Sequence, residues 1–179
     1  MLKKMYLLVF IVAFSCTKND VFQPNGEVLS IVPLEKCENG FAGEYPCNDY
    51  DLLDYISLEE IGGVGTKGND CWGCTDPLDN KEYALMGTNK GITFIDITNP
   101  TEVVILGTLA TRTVNSSWRD VKVHNTVAYV DSKAADHRMQ IFNLEKLRNV
   151  TNPPVVFESD YDYTGFGSAH NIVINKTKD

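Results

Sequence analysis

Two stretches of the chain run through the same order of short apolar segments and turn residues, and that recurrence limits the fold more than any other feature. Tyr83-Ala84-Leu85-Met86-Gly87 leads through the polar turn Thr88-Asn89-Lys90-Gly91 into Ile92-Thr93-Phe94-Ile95-Asp96-Ile97. Thr98-Asn99-Pro100 and Val103-Val104-Ile105-Leu106-Gly107-Thr108-Leu109 come next. A glycine-bearing turn between two apolar runs signals a hairpin, and proline ends the second run because it cannot donate to a ladder. The order returns at Trp118-Arg119-Asp120-Val121-Lys122-Val123, which parallels the region around Trp72, and at Val127-Ala128-Tyr129-Val130-Asp131. It continues through Met139-Gln140-Ile141-Phe142-Asn143-Leu144 and Asn152-Pro153-Pro154-Val155-Val156-Phe157. The period is about 45 to 50 residues, the length of a four-stranded propeller blade. From Leu52 onward no window keeps a helical period, which excludes helical repeats of that length.

The expected class is therefore all-β, a β-propeller of four-stranded blades. A third start stands at Ser168-Ala169-His170-Asn171-Ile172-Val173-Ile174, and Leu52-Leu53-Asp54-Tyr55-Ile56-Ser57-Leu58 reads as an isolated outer strand. Propellers typically need at least four blades. Residues 37–179 are thus expected to be an incomplete, N-terminal portion: one outer strand, two blades and the first strand of a third.

Before the repeats, Lys3 and Lys4 precede an apolar run over residues 5–14, too short to span roughly 30 Å of hydrocarbon as a helix. It reads as the core of a signal peptide, residues 1–15. Ala13-Phe14-Ser15-Cys16 resembles a bacterial lipobox. A thiol at Cys16 suits alkylation by a diacylglyceryl group, and at about 0.8 kcal/mol per buried methylene two or three chains make a stable anchor. The competing reading is an ordinary signal peptide with a chance cysteine. Residues 16–36 then form the lipidated cysteine and a polar, flexible tether. The expected location is outside the cytoplasm, on a membrane through the lipid on Cys16, at the outer membrane or cell surface.

A net charge of -8 argues against nucleic acid and against direct adhesion to anionic lipid, since both need clustered Lys and Arg. Setting Cys16 aside leaves Cys37, Cys47, Cys71 and Cys74 in a chain bound for an oxidising compartment. Two disulfides are the default, with three connectivities open. Cys37 with Cys47, and Cys71 with Cys74, are the favoured pairs. A four-cysteine zinc site and a thioredoxin-like role for Cys71-Trp72-Gly73-Cys74 compete. The redox motif expects a helix after it, which Thr75-Asp76-Pro77 breaks.

His124, His137 and His170 carry no metal-ligand spacing among themselves. His170 and Asn171 fall at the start of an innermost strand, where propellers line their channel, and Arg119 and Asp120 hold the equivalent places one repeat earlier. These four residues are the candidate channel site for a ligand or cation. The competing reading has them satisfying backbone groups and linking blades. Trp72 and Trp118 are expected in the core between blades rather than as a sugar-stacking platform. Asp160-Tyr161-Asp162-Tyr163 and Asn48-Asp49-Tyr50-Asp51 read as solvated loops; either could bind Ca²⁺ or another divalent cation, but both lack EF-hand spacing. No nucleophile elbow, P-loop or dinucleotide fingerprint is present, and no cofactor or catalytic residue is assigned.

Ile92-Thr93-Phe94-Ile95-Asp96-Ile97-Thr98-Asn99-Pro100 resembles the LVIVD repeat of bacterial surface proteins. The wider pattern resembles the choice-of-anchor B family: Cys37 through Pro46-Cys47, Asn69-Asp70-Cys71-Trp72-Gly73, Glu82-Tyr83-Ala84-Leu85, the run from Trp118 to Val123, Met139 to Leu144, and Ser168-Ala169-His170-Asn171. Cys74 departs from that pattern, where an aromatic residue is expected. The resemblance implies a propeller displayed at a cell surface by a variable anchor, and it brings no activity to particular residues. The leading expectation is a non-catalytic interaction or structural module with a protein or glycan partner. The alternative is an enzyme, metal-dependent in one form, whose channel site uses Asp120 and His170 and is completed by further blades.

Overall fold

The computed structural model describes residues 20–22 and 28–175. The leader, residues 1–15, and Cys16 lie outside them. Within the stretch expected as a tether, β1 (Asp20–Phe22) and β2 (Val28–Ser30) pair antiparallel, so the backbone there is more regular than its polar composition suggested. A small hairpin follows, β3 (Phe41–Ala42) and β4 (Tyr45–Pro46), spanned by the expected Cys37–Cys47 disulfide with a Cα separation of 5.9 Å.

The expected outer strand over residues 52–58 does not form. Leu52 makes only an isolated bridge to Glu35, and α1 (Leu58–Gly62) starts where the strand should end. Its cause is local: Ser57 and Glu60 make a capping box, with Ser57 Oγ accepting the Glu60 N–H at 3.2 Å and Glu60 Oε2 accepting the Ser57 N–H at 2.9 Å. Ile61, buried on this helix, is held to the first large sheet by Thr93 Oγ1, which donates to its carbonyl at 3.1 Å.

Four strands build that sheet in chain order: β5 (Gly68–Thr75), β6 (Glu82–Thr88), β7 (Gly91–Asp96) and β8 (Val104–Ala110). All neighbours are antiparallel, as the hairpin signals required. The second sheet follows with β9 (Arg119–His124), β10 (Val127–Ser132) and β11 (Met139–Asn143), again antiparallel. After a 3-10 helix over Leu144–Asn149 come β12 (Val155–Phe157) and β13 (Tyr161–Tyr163). The chain is thus all-β, apart from these two short helical segments.

One strand goes elsewhere than expected. Val155-Val156-Phe157 was placed as the outer strand of the second sheet, but β12 pairs parallel with β8 on the edge of the first. Residues 161–163, read as part of a solvated loop, take the vacant position as β13 beside β11. Aromatic packing explains the exchange. Phe157 meets Phe94 edge-on at 5.5 Å and Phe142 at 5.2 Å, while Phe94 and Phe142 stack at 4.7 Å across the two sheets.

The core lies where the sheets face each other. Tyr83, Leu85, Ile92, Phe94, Leu106 and Leu109 from the first meet Val121, Val123, Ala128, Val130 and Phe142 from the second. Alternation along each strand selects these residues. Burying each large one contributes about 1.5–3 kcal/mol. The third expected inner strand, residues 168–174, forms no ladder among the described residues. It is tied to the second sheet by the Ala169 N–H to the Ser132 carbonyl and the Ile172 N–H to Asp120.

Candidate functional site

β5 and β9 lie side by side without sharing a ladder, and side chains make the connection. Asn69 Nδ2 donates to the Arg119 carbonyl at 2.7 Å, and Asp70 Oδ2 accepts the Val121 N–H at 3.1 Å. One repeat later Asp120 Oδ2 accepts the Ile172 N–H at 2.6 Å. These bonds set a register in which Asp70 corresponds to Asp120 and to Asn171. Lys122 sits between the first two, bonded to Asp70 Oδ2 at 3.2 Å and to Asp120 Oδ1, with its ammonium 4.6 Å from the centre of the Trp72 ring. Burial works against the Lys122 charge, but the bonds to Asp120 and Asp70 hold its pKa above the ordinary value. Burial also opposes the Asp70 charge, and hydrogen bonds from its neighbours outweigh it, leaving the carboxyl below its usual range.

Between these strands and residues 170–173 opens a cleft of about 410 Å³, lined by Asn69, Asp70, Trp118, Lys122, His170 and Asn171 among others. Three of the four candidate channel residues, Asp120, His170 and Asn171, therefore converge there. Arg119 contributes its backbone, while its guanidinium turns inward: it donates to the Thr88 carbonyl at 3.0 Å, to Thr111 Oγ1 at 2.8 Å and to His137 Nε2 at 2.9 Å. Burial lowers the Arg119 pKa to about 10, against the nearby Asp131 charge. The guanidinium has only donors, so His137 Nε2 accepts and its Nδ1 donates to the Arg138 carbonyl at 3.0 Å. Burial first, then the Arg119 and Arg112 charges, depresses the His137 pKa.

Sequence reasoning missed Asp131. It is fully buried on β10, and neither carboxylate oxygen has a hydrogen-bond partner among the described residues. Burial, with the Asp120 charge adding to it, pushes its pKa up to about 6. The available signal was an acidic residue closing an otherwise apolar strand.

Two further expectations need correction. Cys71 and Cys74 are not bridged. They stand three apart on β5, where the pleat points them to opposite faces and extended backbone separates them by about 10 Å, beyond disulfide reach. Cys74 packs against the core, and burial raises its thiol pKa to about 11, which disfavours its thiolate. Trp118 is 55% exposed rather than core, and the Asp70 to Asp120 register sets it opposite Gly68, not Trp72. Trp72 does pack partly against the core. The carboxylates of the two acidic segments make protein contacts: Asp160 accepts the Asn143 N–H at 2.7 Å and pairs with Lys146, Asp162 pairs with Arg112 at 2.8 Å, and Asp51 accepts the Cys37 N–H. Among the described residues no three His, Cys, Asp or Glu side chains form a metal-ligand group, and no helix is long and apolar enough to cross a membrane.

No family model matches this chain, and no curated protein or solved structure matches it.

Proposed function

We propose that this chain supplies LVIVD-type blades of a lipid-anchored β-propeller, displayed at a bacterial cell surface as a binding module without catalysis. The observation that carries this reading is the repeated clasp: an aspartate near the start of a strand caps a backbone N–H of the corresponding stretch that follows, first Asp70 to Val121 and then Asp120 to Ile172. In a radial array of four-stranded sheets each blade touches only its neighbours, so a contact of this kind would recur once per blade. The resemblance to the choice-of-anchor B family adds the mode of display, and the lipobox around Cys16 adds the anchor.

Binding is favoured over catalysis by how the cleft spends its charges. Lys122 is bracketed by two carboxylates, Asp120 is occupied by Lys122 and the Ile172 amide, and the Arg119 and His137 pair faces the interior. Among the described residues lining the cleft there is no Ser, Thr or Cys side chain to serve as a nucleophile. One observation favours the enzyme reading: Asp131 is fully buried, and burial with the Asp120 charge raises its carboxyl pKa to about 6.

The test is fatty-acid labelling of the full-length protein in a bacterial host, with protease shaving of whole cells. Labelling that disappears in Cys16→Ala, with the wild type cleaved from outside, supports the proposal. A Cys16→Ala protein that is cleaved from its leader yet stays in the membrane fraction contradicts it.

A further inference from the structure

Trp118 is an exposed aromatic on a fixed backbone. Its N–H donates to Ser116 Oγ at 3.2 Å, and its carbonyl accepts the Lys133 N–H at 3.0 Å and the hydroxyl of buried Ser132 at 3.1 Å. His170 stands edge-on to the indole at 5.0 Å. The backbone that carries the ring is thus held at both its N–H and its carbonyl, and the residue is 55% exposed. The repeat does not demand it, because Gly68 holds the corresponding place in the first sheet.

Around this ring the cleft gathers planar polar groups. Asn69 has spent one amide donor on the Arg119 carbonyl, leaving its side-chain oxygen facing acceptor duty, and Asn171 is exposed with no side-chain partner among the described residues. A carboxamide offers donors and an acceptor side by side, the complement of neighbouring hydroxyls. Charge is close to balanced: Asp70 and Asp120 bracket Lys122, and the Lys133 ammonium lies 5.8 Å from the Trp118 ring centre. A strongly ionic ligand would find no surplus of opposite sign. The cleft's volume of about 410 Å³ falls within the roughly 300–1,000 Å³ of small-molecule sites.

We infer that this cleft binds a neutral carbohydrate, with a pyranose ring laid on Trp118 and its hydroxyls met by Asn69, His170 and Asn171. The inference rests on the binding-module reading and names its ligand class. An apolar C–H face above and hydroxyls at the rim are what a rigid indole flanked by amides and an imidazole recognises.

The chain has two tryptophans, so Trp72→Phe isolates Trp118 emission. The exported chain in that background is titrated with neutral tetrasaccharides of glucose, mannose and N-acetylglucosamine. A saturable change with at least one of them is expected. Trp118→Ala, followed by calorimetry because the reporter is gone, should weaken binding by about tenfold or more, the size of a lost aromatic stack, with an unchanged thermal transition. Asn171→Ala should weaken it with the emission reporter intact. The inference is overturned if no neutral tetrasaccharide binds, if affinity survives Trp118→Ala, or if only charged oligosaccharides or peptides bind. Mass spectrometry of the recovered sugar separates the two readings: an intact sugar supports both, whereas a cleaved one supports the site and contradicts the non-catalytic module.

Discussion

Asp120 reaches across to Ile172, its Oδ2 accepting the backbone N–H at 2.6 Å, and Asp70 does the same to Val121 one repeat earlier. Each bond runs from a strand side chain to the backbone of the corresponding stretch that follows, so the same connection is made twice along the chain. Lys122 ties the two clasps together by bonding to both carboxylates.

The cysteines give a direct chemical check. Mass spectrometry without reduction should find Cys37 joined to Cys47 and both Cys71 and Cys74 as thiols. Exposed Cys71 should react with iodoacetamide in the native state, while Cys74, with its pKa raised to about 11 by burial, should react only on unfolding. A Cys71 to Cys74 bridge in the folded protein would contradict the strand geometry.

Asp131 carries a signed pH dependence. Its pKa rises from 3.8 in the unfolded chain to about 6 in the fold, so the native state binds the extra proton and the penalty of a buried charge grows as pH rises through that window. Asp131→Asn should therefore stabilise the protein by about 1–3 kcal/mol at pH 8, with the gain shrinking toward zero below pH 4. Urea midpoints at both pH values measure it. An equal effect at both would mean that the fold does not shift the Asp131 pKa.

Gly107 governs where β12 docks. A Cβ there would meet the Val155 carbonyl oxygen at 2.2 Å, a clash with backbone that cannot swing aside. Gly107→Ala should detach β12, uncover the Phe94 and Phe142 stack, and cost about 2–4 kcal/mol. Val156→Ala, on the same strand but 81% exposed, should stay within about 0.5 kcal/mol of wild type. Denaturant unfolding of the pair compares them, and similar losses would place β12 elsewhere.

Local pattern made much of this fold readable. The runs at Tyr83, Ile92 and Val104 and their turn residues mark β6, β7 and β8 because strand alternation and turn chemistry are encoded within a few residues. Partner choice is not. Nothing near Val155 says whether it joins its own repeat or the preceding one; that depends on Phe157 finding Phe94 and Phe142, residues distant in sequence. The Ser57 and Glu60 capping box was visible, yet the apolar residues before it read as strand. At the site, Asp120, His170 and Asn171 were found through their place in the repeat. Trp118 was misplaced because its repeat partner was taken as Trp72, when the inner-strand bonds align it with Gly68.

Hydrogen exchange at Val121 and Ile172 tests the repeated clasp most directly. Both amides should exchange slowly in the wild type. Asp120→Ala should release Ile172 while Val121 stays protected by Asp70, at a cost of about 1–3 kcal/mol for the orphaned amide. Asp70→Ala should reverse the pattern, releasing Val121 and leaving Ile172 slow. If Ile172 exchanges at the same rate with and without the Asp120 carboxylate, the clasp between the two sheets does not recur at residues 168–174 and the propeller reading loses its support.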